Sequence, residues 1–170
     1  EGMRKAGKLT AEALDLITPM VTAGATTEAM DKFIVEFARD HKAIPAPLNY
    51  RGYTKSICSS LNHVVCHGIP NDTPLRDGDI LNVDVTLIVD GWFGDSSRMY
   101  AIGEITRKAE RLIEVTYECL TRGIAMVKPG AHLVDIGYAI QSFAESERCS
   151  VVLAFCGRGL VRVFDGHPHV

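Results

Sequence analysis

The segment between Asp79 and Ile102 constrains the fold of this chain more than any other part of the sequence. From Asp79 to Val89, valine and leucine alternate with asparagine, aspartate and threonine, which is the pattern of a half-buried β-strand. Asp90-Gly91 is the strongest short signal for a hairpin turn, and Trp92 to Ile102 has the pattern of the returning strand. We therefore expect an antiparallel sheet at the centre of the fold.

The same turn predicts how the acidic residues of the two strands face each other. A two-residue turn at Asp90-Gly91 puts Asp95 opposite Thr86. Asp84 is then opposite Ser97, so Asp84 and Asp95 are diagonal neighbours, with Cβ atoms about 7 to 8 Å apart or somewhat less. That spacing lets both carboxylates bind one divalent ion, or two ions roughly 3.5 to 4 Å apart. A solvated face is the alternative, since most strand carboxylates face water, and the spacing alone leaves both open.

Helical periodicity flanks the hairpin on both sides. Apolar residues predict one helix from Met3 to Met20 and a second, capped by Thr26 or Thr27, that ends near His41. After the hairpin, a fourth helix is expected from Leu133 to about Glu145. The third helix precedes it and is capped by Thr106, and its predicted buried stripe is Ala109, Leu112, Ile113, Thr116, Leu120 and Ile124. Short strands are expected around Ser56–Leu61, Val64–Cys66 and Val151–Phe155.

An internal repeat relates the two helix pairs. At an offset of 106 residues, Met20, Val21, Gly24, Ala25, Ile34, Phe37 and Ala38 match Met126, Val127, Gly130, Ala131, Ile140, Phe143 and Ala144. Coincidence between two amphipathic helices is the alternative explanation. The repeat predicts an α/β fold of two pseudo-symmetric halves, each built as two helices, strands and a hairpin. The hairpin of the second half would begin after Val170.

Composition excludes several classes of function. A net charge of −3 and a pI near 6.1 give no basic stripe for nucleic acid, so a small molecule or a peptide is the better partner. The five cysteines form no CxxC pair and follow no signal peptide, which favours reduced thiols in the cytoplasm. Apolar runs are shorter than the roughly 20 residues that span a bilayer, so we expect no membrane segment.

Three segments together carry a family resemblance: residues 66–71 (CHGIPN), 79–86 (DILNVDVT) and 94–99 (GDSSRM). In this order they resemble the type I methionine aminopeptidases, and the bacterial branch most closely. The resemblance implies the pita-bread fold in a single domain, with a first half of about 1–104 and an incomplete second half of about 105–170. It also implies a dinuclear site for two divalent ions (Co, Mn, Fe or Zn). The implied activity is removal of the initiator methionine from nascent chains or peptides.

The resemblance also implies roles for individual residues. Asp84 and Asp95 match metal ligands, and His67 matches a catalytic histidine that hydrogen-bonds the substrate. The walls of the pocket for the methionine side chain match Tyr50, Tyr53, Cys58 and Phe164; aromatic rings and a thiol suit a polarisable thioether. Taken alone, His67 is typical of a structural or surface histidine, Cys58 of a small buried residue, and the tyrosines of loop anchors.

The sequence departs from the family at several ligands. Arg158 occupies the position of a histidine ligand, and a guanidinium has no lone pair to offer a cation. Asp165 replaces a second histidine, and His167 and His169, in an expected exposed turn, are poor substitutes. Two glutamate ligands would lie after Val170, so we expect a chain shortened at both ends, with weak or partial metal occupancy and impaired activity.

Two other functions remain open. One is a catalytically inactive pita-bread relative that binds peptides or protein partners, since one fold hosts many functions. The other is a neighbouring hydrolase of this fold, such as a proline-directed peptidase or a creatinase. Without the hairpin of the second half, we expect an open strand edge near Val151–Phe155 and a solvent-facing Phe164, and both predict self-association.

Overall fold

The computed structural model describes residues 1–153, 155–164 and 166–169. Two compact units make up the chain: the first comprises residues 1–105 with 160–164, and the second comprises 106–159 with the strand at 166–169. Within the described residues, no helix is both long and apolar enough to cross a membrane.

Two helices open the first unit, as the periodicity predicts. Helix α1 spans Gly2–Ile17 and runs into a short 3-10 turn at Thr18–Met20, while α2 spans Thr27–Asp40. The side chain of Thr26 caps α2 by accepting a hydrogen bond from the Ala29 amide at 3.2 Å. This satisfies one of the free N–H groups at the helix start.

The sheet of the first unit has four strands in all, and one of them is central to the other three. These are β1 (Ile44–Pro45), β2 (Cys58–Leu61), β3 (Ile80–Val89) and β4 (Trp92–Ala101). Strand β3 pairs along its full length with β4, and its two ends pair with β1 and β2, all antiparallel.

The predicted hairpin register is confirmed. Thr86 is opposite Asp95 and Asp84 is opposite Ser97. Asp90 and Gly91 have φ values of 51° and 77°, the left-handed conformations that a type I′ turn requires.

The predicted strand at Val64–Cys66 is wrong. The backbone of Asn62 is left-handed, with φ 51°, which turns the chain away from the sheet after β2. The turn is fixed because Asn62 N donates to the Ile80 carbonyl at 2.9 Å and Asn62 Oδ1 accepts from the Ile80 amide at 3.0 Å.

The core of the first unit lies between α1 and the hairpin. Ala6, Thr10 and Leu14 are fully buried there, and Thr10 Oγ1 donates to the Gly94 carbonyl at 3.0 Å. A Cβ atom on Gly94 would lie 2.4 Å from the carbonyl carbon of Ala6, so only glycine lets the strand approach the helix this closely.

The second unit contains helices α3 (Arg107–Ala125, capped by Thr106) and α4 (Leu133–Ser146). They pack through Val115, Cys119 and Ala144. The predicted buried stripe of α3 is wrong at four positions, because α4 covers a neighbouring side of the helix. The exposed residues are Leu112, Thr116, Leu120 and Ile124.

The end of the second unit also differs from expectation. Its two short strands, β5 (Arg158–Gly159) and β6 (Gly166–His169), pair with each other. His167 and His169 therefore lie in a strand rather than in a turn. Residues 151–153 and 155 form no strand, and residue 154 lies outside the described residues.

The repeat is visible in the backbone. Helices α2 and α4 begin at residues 27 and 133 and end at residues 40 and 146, so both ends are 106 residues apart. Gly24 and Gly130, one before each helix, have φ values of 87° and 86°. Helices α2 and α4 are thus equivalent in length and in sequence position.

Candidate metal and substrate site

The acidic pair is the centre of the candidate site. Asp84 and Asp95 are hydrogen-bonded to each other through their side chains, and Thr86 Oγ1 donates to Asp95 Oδ1 at 2.9 Å. Burial, followed by the nearby charge of Asp95, raises the pKa of Asp84 to about 7. A divalent cation would take the place of the shared proton and remove the repulsion between the carboxylates.

The donors fit part of a metal centre. Two carboxylates are hard oxygen ligands suited to a divalent cation. Among the described residues, however, no three His, Cys, Asp or Glu side chains are arranged to hold a metal ion. The backbone of Arg158 pairs with His169, while the side chains of Arg158, His167 and His169, and all of Asp165, lie outside the description. Among the described residues, the candidate metal site therefore consists of these two carboxylates.

Tyr53 and Cys58 adjoin the acidic pair. Cys58 is opposite Asp84 in the sheet, and its thiol is hydrogen-bonded to the Tyr53 hydroxyl. Burial is the main cause that raises the pKa of both groups, so both stay neutral near pH 7. A neutral thiol beside a phenol ring offers a polarisable surface to an apolar side chain.

His67 is held at the surface by its neighbour in sequence. Its φ of 56° is left-handed, and the residue is exposed. Gly68 is fixed against β2, because Ser59 N donates to the Gly68 carbonyl at 2.8 Å and Gly68 N donates to Ser60 Oγ at 3.2 Å. The position of His67 is thus set by the sheet.

Tyr50 and Phe164 meet in an aromatic cluster that includes Phe93. The rings of Tyr50 and Phe164 are edge to face with centroids 4.8 Å apart, and Phe93 stacks on Phe164 at 5.7 Å. Phe164 is half-buried in this contact, so the expectation that it faces water is wrong. Phe93 was not among the predicted site residues, although two-residue alternation puts it on the same face of β4 as Asp95.

The predicted site residues thus lie in the first unit. Cys58 connects Tyr53 with the acidic pair, Tyr50 and Phe164 form the aromatic group, and His67 is exposed next to Gly68. The buried Asp31 was also not predicted. Its spacing in the sequence could have shown it, because Asp31 lies four residues after Thr27 and three before Ile34, on the side of α2 that is buried.

Comparisons with known proteins agree with this geometry. The sequence matches the metallopeptidase family M24 over residues 1–170. It is 56% identical to the methionine aminopeptidase of Rickettsia prowazekii (strain Madrid E) over 168 residues, which are 99% of this chain and 65% of that protein. This chain therefore spans less than two thirds of the length of that curated relative.

Solved structures give the same result for the fold. The crystal structure of methionine aminopeptidase from Rickettsia prowazekii superposes with a TM-score of 0.96 at 57% identity, covering 98% of this chain and 67% of that one. The prolidase from Pyrococcus furiosus superposes with a TM-score of 0.85 at 15% identity, covering 99% of this chain and 49% of that one. At that identity the likeness shows the fold alone.

Proposed function

Because this chain belongs to metallopeptidase family M24, and within it to the bacterial methionine aminopeptidases, we propose that it is a metal-dependent aminopeptidase that removes N-terminal methionine. Its fold is the pita-bread fold of the family. The observation that carries the proposal is the hydrogen-bonded Asp84–Asp95 pair beside Cys58 and Tyr53.

In this reaction, different residues of the chain would bind the metal, the substrate and the methionine side chain. Asp84 and Asp95 would hold the cation, which, when bound, polarises a carbonyl group and activates water. His67, exposed beside the fixed Gly68, would hydrogen-bond the substrate. Tyr53 and Cys58 would form one wall of the methionine pocket. The aromatic group of Tyr50, Phe93 and Phe164 would form another.

The substrates we propose are peptides and nascent chains that begin with methionine, encountered in the cytoplasm. The cation is cobalt, manganese, iron or zinc. Metal occupancy would be partial and turnover slow. The physical reason is that the described residues bring together only two carboxylates, which bind a borderline cation weakly, and Arg158 stands in the sequence where the family resemblance implies a histidine ligand.

A catalytically inactive relative that binds peptides is the second candidate. It is favoured by the same lack of a third ligand among the described residues. In that case the pocket walls would bind a methionine side chain, and no bond would be cleaved.

The two candidates are distinguished by assaying release of methionine from a Met-Ala-Ser peptide with added Mn²⁺ or Co²⁺. We expect slow, metal-dependent release that Asp84→Asn abolishes. The control is Asp90→Asn, which makes the same chemical change at the exposed turn of the hairpin and should leave release unchanged. Peptide binding without any release would favour the inactive relative.

We also propose that residues 1–104 and 105–170 are the two halves of one domain, which the 106-residue repeat supports. We propose that the chain self-associates through α3 rather than through a strand edge. The counterparts of Ala6, Thr10 and Leu14, which α1 buries against the hairpin, are Leu112, Thr116 and Leu120. Leu112 and Leu120 are 48% and 54% exposed.

A further inference from the structure

Asp31 is a buried carboxylate that the candidate chemistry does not use. It is 6% exposed, lies on α2, and does not cap that helix. Its Oδ1 atom accepts two backbone hydrogen bonds, from Ser56 N at 2.6 Å and from Ile57 N at 3.2 Å. A single oxygen atom of α2 therefore fixes the two residues that come directly before Cys58.

The segment held by Asp31 is also held from its other side. The Tyr53 hydroxyl lies 2.8 Å from the Ile57 carbonyl oxygen and 3.1 Å from that of Gly68. Ile57 is thus fixed at its N–H by Asp31 and at its carbonyl by Tyr53. Through Gly68, the same hydroxyl reaches the turn that carries His67.

Two further contacts tie these loops to the first turns of α2. Lys55 pairs with Glu28, which is three residues before Asp31 and so on the same helix face. Asn71 N donates to Thr27 Oγ1 at 2.9 Å, and Thr27 Oγ1 donates to the Asn71 carbonyl at 3.2 Å. Helix α2 therefore contacts both the Tyr53–Cys58 loop and the segment after His67.

We propose that Asp31 is a positioning residue for the methionine pocket: its Oδ1 atom holds the Ser56-Ile57 backbone so that Tyr53, Cys58 and Gly68 meet. That this pocket binds methionine rests on the function proposed above. That Asp31 fixes the Ser56-Ile57 backbone does not depend on that function. Removing the side chain would leave two buried N–H groups without a partner, and a segment in that state opens locally.

Three variants test this. Asp31→Ala removes the acceptor. Asp31→Asn keeps an oxygen at the same position and can accept both bonds. Ser56→Ala is the matched control, because it alters the same loop but removes a hydroxyl that has no hydrogen-bond partner among the described residues.

The first measurement is the rate at which N-ethylmaleimide modifies Cys58, followed by peptide mass mapping. Cys119, buried in the second unit, is the internal reference for global unfolding. We expect Asp31→Ala to raise the Cys58 rate by about tenfold while the Cys119 rate changes by less than about twofold. Asp31→Asn and Ser56→Ala should both react like the wild type.

The second measurement is binding of L-methionine amide in the presence of Mn²⁺. Asp31→Ala should weaken binding by about tenfold, and Asp31→Asn should restore it. Equal acceleration of Cys58 and Cys119 in Asp31→Ala, or failure of Asp31→Asn to rescue, would overturn the positioning role. If the wild type does not bind methionine amide, the proposed function fails, and the selective Cys58 rate still decides whether Asp31 holds the loop.

Discussion

Gly68 shows how one residue can connect the sheet to the candidate site. A Cβ atom at this position would lie 2.1 Å from the Ser59 carbonyl oxygen and 2.8 Å from its carbon. Both atoms belong to the backbone of β2, so neither can move without disturbing the strand. The close contact that seats His67 therefore depends on the absence of a side chain.

We predict that Gly68→Ala lowers the free energy of unfolding by about 1 to 3 kcal/mol, the usual cost of forcing an atom into a packed contact. Gly7→Ala is the control, since nothing lies within 4 Å of a Cβ atom there and alanine should stabilise α1 by about 0.5 to 1 kcal/mol. Urea denaturation measures both. Equal effects of the two substitutions would contradict the structure around Gly68.

At the acidic pair of Asp84 and Asp95, by contrast, we predict that a substitution increases the stability of the chain. Asp95→Asn removes a charge that contacts Asp84, so without metal the variant should be more stable by on the order of 1 kcal/mol at neutral pH. The same change should reduce stabilisation by added Mn²⁺, because a ligand is lost. Thermal unfolding with EDTA and with Mn²⁺ measures both effects, and Asp90→Asn is the control. If Asp95→Asn were less stable than the wild type in EDTA, repulsion between Asp84 and Asp95 would be disproved.

The buried carboxyl group of Asp31 should make the free energy of unfolding depend on pH. Burial raises its pKa above the ordinary value of 3.8, so the folded chain keeps a proton that the unfolded chain has lost. The stability this contributes is complete below about pH 3.8 and is lost as the pH rises through the folded pKa. The advantage of Asp31→Asn over the wild type should therefore grow from about pH 4 toward neutrality, measured by urea denaturation. A constant difference would contradict the raised pKa.

At the scale of elements, the hairpin is the part that the sequence predicted best. Its register follows from Asp90-Gly91 and from two-residue alternation, which are local signals. Phe93 and Asp31 were missed because their partners are remote in sequence; the Asp31 bond to Ser56 spans 25 residues. For α3, periodicity located an apolar face but could not say what would cover it.

We predict that Gly91→Ala destabilises the hairpin by about 1 to 2 kcal/mol, the cost of a left-handed backbone for a residue with a side chain. Space is not the cause, since nothing lies within 4 Å of a Cβ atom there and φ is 77°. Gly137→Ala, in α4, also has open space but no positive φ, and should be neutral or stabilising. Chemical denaturation of both variants checks this, and an unchanged Gly91→Ala would exclude the type I′ turn.

At the scale of the whole molecule, the two units differ in how much apolar surface their described residues bury. The first unit buries a long continuous core, whereas the core of the second rests on Val115, Cys119 and Ala144 with a few partly buried neighbours. The exposed face of α3 is apolar where its counterpart on α1 is buried. Exposed apolar surfaces of this kind favour association.

We predict that the chain associates at micromolar concentration through α3. Leu120→Glu should shift sedimentation velocity profiles toward monomer. Leu16→Glu is the control, because Leu16 is 45% exposed, similar to the 54% of Leu120, but lies on α1. If both variants associate like the wild type, the interface is elsewhere.

Gly24 and Gly130 bear on the evolutionary origin of the helices that follow them. Two glycines 106 residues apart with the same left-handed backbone are what we expect if a half-length ancestral gene was duplicated. On that interpretation the chain contains two copies of one ancestral sequence. Where the two copies share a residue in equivalent helices, as at Phe37 and Phe143, we expect similar tolerance to mutation. Where their surroundings differ, as at Ala6, which is fully buried, and Leu112, which is 48% exposed, we expect tolerance to differ.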